Sequence, residues 1–259
     1  MKLYYREFGA EQGGIPVLLL HGLLGSLVNW QRIARHLSEQ YHVIVPDLRN
    51  HGRSPHADDV SYPALAGDVF ELLDAQGIET AVVVGHSMGG KTAMLMALQQ
   101  PKRIHKLGVV DIAPVTYFGT LGELMDALLE LPLDQINNRR EADAWLSSRI
   151  TDKAVRDHML QNLQRTDQGW RWRNNLKALR KGLDTISSFP WLNQPGPYTG
   201  DSLFLKGEYS NYIQPQHLSV LKQYFPNARL VEISGAGHWV YAEQPTRFLQ
   251  ALSDFLADS

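Results

Sequence analysis

Short apolar runs alternate along the first part of the chain with stretches in which apolar residues recur at helical spacing. Residues 15–20, 41–46, 81–84 and 106–110 are dominated by valine, isoleucine and leucine, the pattern of strands buried on both faces. Leu3, Tyr5 and Phe8 instead alternate with polar residues, as in an edge strand. Between them, Trp30, Ile33, Ala34 and Leu37, then Leu65, Val69, Leu72 and Leu73, then Ala93, Met94, Met96 and Ala97 mark helices. The second of these stops at Gly77 and the third before Pro101. Alternating strands and helices call for a mostly parallel sheet with flanking crossover helices, an α/β fold.

The alternation breaks after residue 114. Residues 121–131, 140–150, 154–163 and 174–186 all read as helices, with no buried strand between them. Strand signals return at 202–206 and 229–233, separated by a helix around 215–224, and a last helix opens on Pro245. The expected organisation is a core made of residues 1–114 and 186–259, interrupted by a helical cap, or lid, over 115–185.

At 259 residues the chain is long enough for one large α/β domain with such an insertion. A formal net charge of −2 argues against a general nucleic-acid binder or a membrane-surface protein. With no cysteine, thiolate catalysis, disulfides and cysteine-held metals are excluded. The first residues, Met1 to Glu7, carry mixed charges and no apolar core, so they do not read as a secretory signal. Apolar runs are too short to cross a bilayer, and the expectation is a cytoplasmic protein.

The most informative stretch follows the third buried run: Gly85-His86-Ser87-Met88-Gly89 turns sharply before a helix resumes at Gly90. Strand, tight turn and helix with a glycine-flanked serine is the arrangement that lifts a nucleophile clear of a sheet at a helix N-terminus. Two further loops follow buried strands. One reads His21-Gly22-Leu23-Leu24-Gly25, where a glycine lets backbone N–H groups approach a ligand. The other, residues 47–56, is dense in polar groups and reads as a hydrogen-bonded brace for its neighbours. Late in the chain, Gly235-Ala236-Gly237-His238 follows the last strand.

Together these segments resemble the α/β-hydrolase superfamily over nearly the whole chain outside the cap. Asp47-Leu-Arg-Asn-His-Gly-Arg-Ser-Pro-His, Gly85-His-Ser-Met-Gly-Gly-Lys-Thr-Ala-Met and Val110-Asp-Ile-Ala-Pro are similar to the YbfF-type bacterial esterases and their mitochondrial relatives. The resemblance implies hydrolysis of carboxylic esters, and of acyl-CoA thioesters, with no cofactor.

Acyl transfer needs a nucleophile, a base, a group to orient the base, and donors for the oxyanion. Ser87 supplies the first and His238 the second, in the chain order serine, acid, histidine. The acid is open between two residues. Most relatives of this fold carry an aspartate in the loop after the strand at 202–206, but here that loop reads Gly207-Glu208-Tyr209-Ser210, and Ser210 stands where it would be expected. Asp111, after the strand that follows the nucleophile helix, lies at the correct edge, and the superfamily includes members with the acid there; Glu208 is the alternative. Ser210 then becomes an accessory group, bonded to the His238 ring or to Asp111. The backbone N–H groups of Leu23 and Met88 are the expected oxyanion donors.

No grouping has metal-ligand spacing, and the elbow lacks the Lys-Ser/Thr of a phosphate loop. Lys91 reads as a helix residue facing the core edge or solvent. Leu121, Leu124, Met125, Leu128 and Leu129 are either cap core or acyl-pocket lining. Arg165, Arg171, Arg173, Lys177, Arg180 and Lys181, beside Trp170 and Trp172, form a basic stretch that a CoA-like phosphate and adenine would suit, or else a solvated face. The expected partner is a small acyl ester or thioester. Competing readings are a carbon–carbon bond hydrolase with the same three residues, and a small-molecule sensor on the same fold.

Overall fold

The buried runs are apolar at every position because the sheet they build is covered on both faces. The computed structural model describes residues 1–119, 121–190 and 196–257. The chain forms β1 (Tyr5–Phe8), β2 (Val17–Leu20), α1 (Gln31–Leu37), β3 (Val43–Pro46), α2 (Tyr62–Ala75), β4 (Ala81–His86), α3 (Met88–Gln99) and β5 (Ile104–Val110). An inserted lid region follows, with α4 (Leu121–Leu129), α5 (Arg139–Leu146), α6 (Lys153–Leu160), β6 (Leu163–Thr166), β7 (Gly169–Trp172), α7 (Leu176–Lys181) and α8 (Leu183–Ser187). The chain then returns to the sheet through β8 (Asp201–Gly207), α9 (Leu218–Tyr224), β9 (Ala228–Ile233), α10 (Val240–Glu243) and α11 (Pro245–Ala257). Parts of the second predicted core segment, 191–195 and 258–259, lie outside the described residues.

Seven strands pair in the order β1-β3-β2-β4-β5-β8-β9. In this sheet only the edge strand β1 runs antiparallel to its neighbour, and it is the strand with no buried residue. Successive side chains of each central strand point to opposite faces. Leu18, Leu20 and Val83 therefore enter one core with α2 and α3, whereas Val17, Leu19 and Val84 enter another with α1 and α11. Truncating such a leucine to alanine costs about 2–5 kcal/mol, so these positions carry much of the stability. Helix α3 is buried from Met88 to Leu98 and packs on β4 and β5. Gly90 allows this close approach, because a Cβ there would lie 2.6 Å from Ile112 Cγ2.

The lid departs from the all-helical expectation. Residues 163–172 form the antiparallel hairpin β6–β7, and α6 accordingly ends at Leu160. The predicted helix over 174–186 divides at Gly182 into α7 and α8, where a side chain would collide with Val60. The lid is tied to the core loops by hydrogen bonds from Asn162 Nδ2 to the Leu24 carbonyl (2.5 Å) and from the Asn175 N–H to the Asn50 carbonyl (2.9 Å). No helix among the described residues is long and apolar enough to cross a membrane.

Candidate active site

Four residues other than glycine hold a positive φ among the described residues: Leu24, Asn50, Ser87 and Asp111. Each sits in the loop leaving the carboxyl end of a central strand, β2, β3, β4 and β5 in turn. Backbone strain of this kind concentrates where geometry is over-determined by its surroundings. Ser87 is the sharpest case, with φ 50° and ψ −115° between the end of β4 and the first turn of α3. The turn closes so tightly that a Cβ at Gly85 would collide with the Gly89 carbonyl. The Ser87 side chain borders a cavity of about 430 Å³, which Leu23, Met88 and His238 also line.

Asp111 is fully buried, and its carboxylate has three donors. Oδ1 accepts the Gly207 N–H at 3.0 Å. Oδ2 accepts His238 Nδ1–H at 2.7 Å and the Ser210 hydroxyl. Because Nδ1 carries the proton toward Asp111, Nε2 is left as the basic nitrogen of the ring. Glu208 is placed differently. Its exposed carboxylate accepts the Gly235 N–H at 2.7 Å and braces the loop that leads to His238. Of the two carboxylates, Asp111 and not Glu208 is the one bonded to the histidine.

The model of the α/β-hydrolase fold family matches residues 15–245. The chain belongs to the α/β-hydrolase family. It is 41% identical to the sn-1-specific diacylglycerol lipase ABHD11 of Mus musculus, over 93% of this chain and 80% of that protein. It is 36% identical to esterase YbfF of Escherichia coli strain K12 over the full length of both. Among solved structures, a marine microorganism esterase superposes with a TM-score of 0.94 at 39% identity, covering 98% of this chain and 99% of that one. The protein is an esterase-type hydrolase of this superfamily. The likeness extends to a mammalian lipase as well as to the bacterial esterase, so it does not single out the narrower YbfF type.

In this α/β-hydrolase the loop carrying Leu23 is fixed by its neighbours. His51 Nε2 accepts the Leu24 N–H at 3.1 Å, and Asp47 accepts the amides of Leu27 (2.7 Å) and Arg53 (2.8 Å). His21 Nε2 in turn accepts the Leu48 N–H at 3.0 Å. Residues 47–56 thus brace the loop, as the sequence suggested. Burial lowers the pKa of His21 to about 4 and that of His51 to about 3, so both are neutral acceptors at pH 7. No group of three or more His, Cys, Asp and Glu side chains among the described residues could hold a metal ion.

Several site residues were not found by sequence reasoning. Tyr212 stacks on the His238 ring with centroids 4.0 Å apart. Glu243 accepts the N–H groups on both sides of His238, from Gly237 at 2.7 Å and Trp239 at 3.0 Å. His86 Nε2 donates to the His238 carbonyl at 2.9 Å, a pairing that its own deep burial keeps neutral. Only the position of His86, next to Ser87, was a signal. Lys91 corrects an expectation: it is 2% exposed and lines the cavity.

The apolar lid positions are now divided. Leu121 and Leu124 line the cavity, Met125 and Leu128 belong to the core, and Leu129 is exposed. The basic stretch is not one patch. Arg180 pairs with Asp126 at 2.7 Å, Arg165 lies 5.9 Å from the Trp170 ring, and Arg173 borders a separate cavity beside His158.

Proposed function

We propose that this protein hydrolyses short- to medium-chain carboxylic esters, and acyl thioesters of similar size, through an acyl-enzyme on Ser87. The observation that carries the reading is the 2.7 Å bond from His238 Nδ1 to the buried Asp111 carboxylate, in a ring that shares a cavity wall with Ser87. His238 Nε2 takes the Ser87 proton as Oγ attacks the ester carbonyl, and Asp111 stabilises the imidazolium that forms. Negative charge on the carbonyl oxygen is met by the N–H groups of Leu23 and Met88. One well-placed donor of this kind is worth about 3 kcal/mol of barrier. Collapse expels the alcohol or thiol with a proton from His238. Water, activated by the same nitrogen, then releases the acid and restores Ser87.

Residues 1–114 and 186–259 supply this machinery in our reading, and residues 115–185 cap it. The apolar lining from Met88, Ile112, Leu121 and Leu124 favours an acyl chain over a sugar or a peptide. The test is steady-state hydrolysis of p-nitrophenyl esters of increasing chain length, and of acyl-CoA thioesters, by wild type and Ser87→Ala. Turnover that disappears in the variant supports the reading and reports the acyl preference. Absence of turnover on every ester and thioester overturns it.

A further inference from the structure

Lys91 follows Ser87 by four residues on α3, one turn along the same face, and both border the cavity. Its ammonium donates to the carbonyls of Ser187 and Ser188, each at 2.7 Å, at the C-terminal end of α8. It also lies 4.9 Å from the centre of the Tyr117 ring and 5.8 Å from that of Tyr62. The hydroxyls of both tyrosines are committed elsewhere, that of Tyr62 to the Ile186 carbonyl and that of Tyr117 to the Tyr212 carbonyl, each at 2.6 Å. An ammonium has three donors. Two are used by the carbonyls, and among the described residues no carboxylate pairs with the charge.

A buried cation matched only by neutral dipoles is costly, and burial lowers the Lys91 pKa to about 7. A tie between α3 and α8 alone does not need a charge, since a glutamine amide donates to carbonyls without that penalty. An anion entering the cavity would supply the charge the site lacks and accept the third N–H. The other charged cavity residues, Glu123, Arg149 and Asp152, are exposed to solvent, so Lys91 is the charge set into the buried wall.

We propose that Lys91 is a specificity-determining residue that receives a carboxylate at the far end of the substrate's acyl group, so that half-esters of dicarboxylic acids are preferred over neutral acyl esters of equal length. The acyl chain runs from Ser87 along the apolar wall and ends at the ammonium. This inference rests on the esterase reading of the same site.

The test compares kcat/KM for ethyl hydrogen glutarate, adipate and pimelate with that for ethyl pentanoate, hexanoate and heptanoate, measured by ethanol release. Wild type should favour the half-ester at one or more lengths. In Lys91→Met the ratio of half-ester to neutral ester should fall roughly 10- to 100-fold, the scale of a charge-assisted hydrogen bond. A wild type that favours the neutral ester at every length, or a ratio unchanged in the variant, overturns the proposal. Should Lys91→Met fail to fold, wild type decides alone: glutarate or adipate must inhibit ethyl hexanoate hydrolysis more strongly than pentanoate or hexanoate does, and equal inhibition overturns the idea. If wild type hydrolyses no ester, the esterase reading fails instead. Calorimetric titration of Ser87→Ala with glutarate and pentanoate then still decides whether the cavity selects a second carboxylate.

Discussion

Ser210 donates its hydroxyl to Asp111 Oδ2, the same oxygen that accepts the His238 Nδ1–H. A neutral residue thus stands beside the buried carboxylate, and its Oγ also accepts the Tyr212 N–H at 3.2 Å, next to the ring that stacks on His238. Ser210→Ala removes one donor to a buried carboxylate and loosens the Tyr212 backbone. Hydrogen bonds to charged groups are worth about 1.5–3 kcal/mol, so kcat/KM for a p-nitrophenyl ester should fall roughly 10- to 100-fold. Unchanged kinetics would reduce Ser210 to a turn residue.

The division of labour between Asp111 and Glu208 gives a paired prediction. Asp111→Asn keeps the side-chain shape but removes the charge that holds His238 in its tautomer, and kcat should drop by about 10⁴-fold. Glu208→Gln, whose amide oxygen can still accept the Gly235 N–H, should stay within about threefold of wild type, because the bond is kept and the charge removed is exposed to solvent. In the double variant Asp111→Asn/Ser210→Asp a carboxylate returns on the neighbouring loop, at the position whose hydroxyl meets Asp111 Oδ2. Partial recovery of kcat over Asp111→Asn alone is expected, and a further loss would show that the Ser210 position cannot serve the ring.

Acid should unfold this protein sooner than its modest net charge suggests. His21 and His51, with pKa values near 4 and 3, are held neutral by burial. In the unfolded chain each titrates near 6.5. Between pH 6.5 and 4 the unfolded state therefore binds more protons, and stability falls as pH falls through that window. The contribution is fully present above pH 6.5 and is reduced at pH 4 by on the order of 3 kcal/mol for each residue. Urea midpoints at pH 7, 5.5 and 4 measure the loss. A His51→Gln variant should show a shallower dependence, and an equally steep one would move the effect to other groups.

The sheet and the elbow were legible because their signals are local. Val17 to Leu20 and Ala81 to Val84 are apolar at every position, since covered faces leave no place for polar residues. Gly85 and Gly89 mark a turn too tight for side chains. What was not legible depends on residues far apart in the chain. Lys91 acquires its polar partners from Ser187 and Ser188, nearly a hundred residues on, so although its apolar neighbours on α3 point to a buried helix, nothing local shows what would receive its charge. The hairpin β6–β7 has strands of four residues with one face half-exposed, too short for a period of two to stand out from a helical pattern. That Asp111 rather than Glu208 meets His238 follows from the register of β5 against β8, which sets Val110 opposite Leu205 and brings Ser210 to the carboxylate.

Glu243 offers the last test, because it acts on His238 only through the backbone. Its two carboxylate oxygens accept the amides of Gly237 and Trp239, so the loop is gripped on both sides of the histidine while His86 holds the carbonyl between them. A carboxylate suits two converging N–H groups because both of its oxygens accept. Glu243→Gln must turn an NH₂ group toward one of those amides, which loses that bond and sets two donors against each other. The ring of His238 should then lose its fixed position in the cavity wall while the rest of the cavity is unchanged. The expected signature is a fall in kcat of about tenfold with little change in KM, matching one charge-assisted bond. Glu243→Asp keeps both acceptors on a shorter stem and should recover part of the loss. Equal losses in the two variants, accompanied by a lower unfolding midpoint, would mark Glu243 as a stability residue with no part in positioning the base.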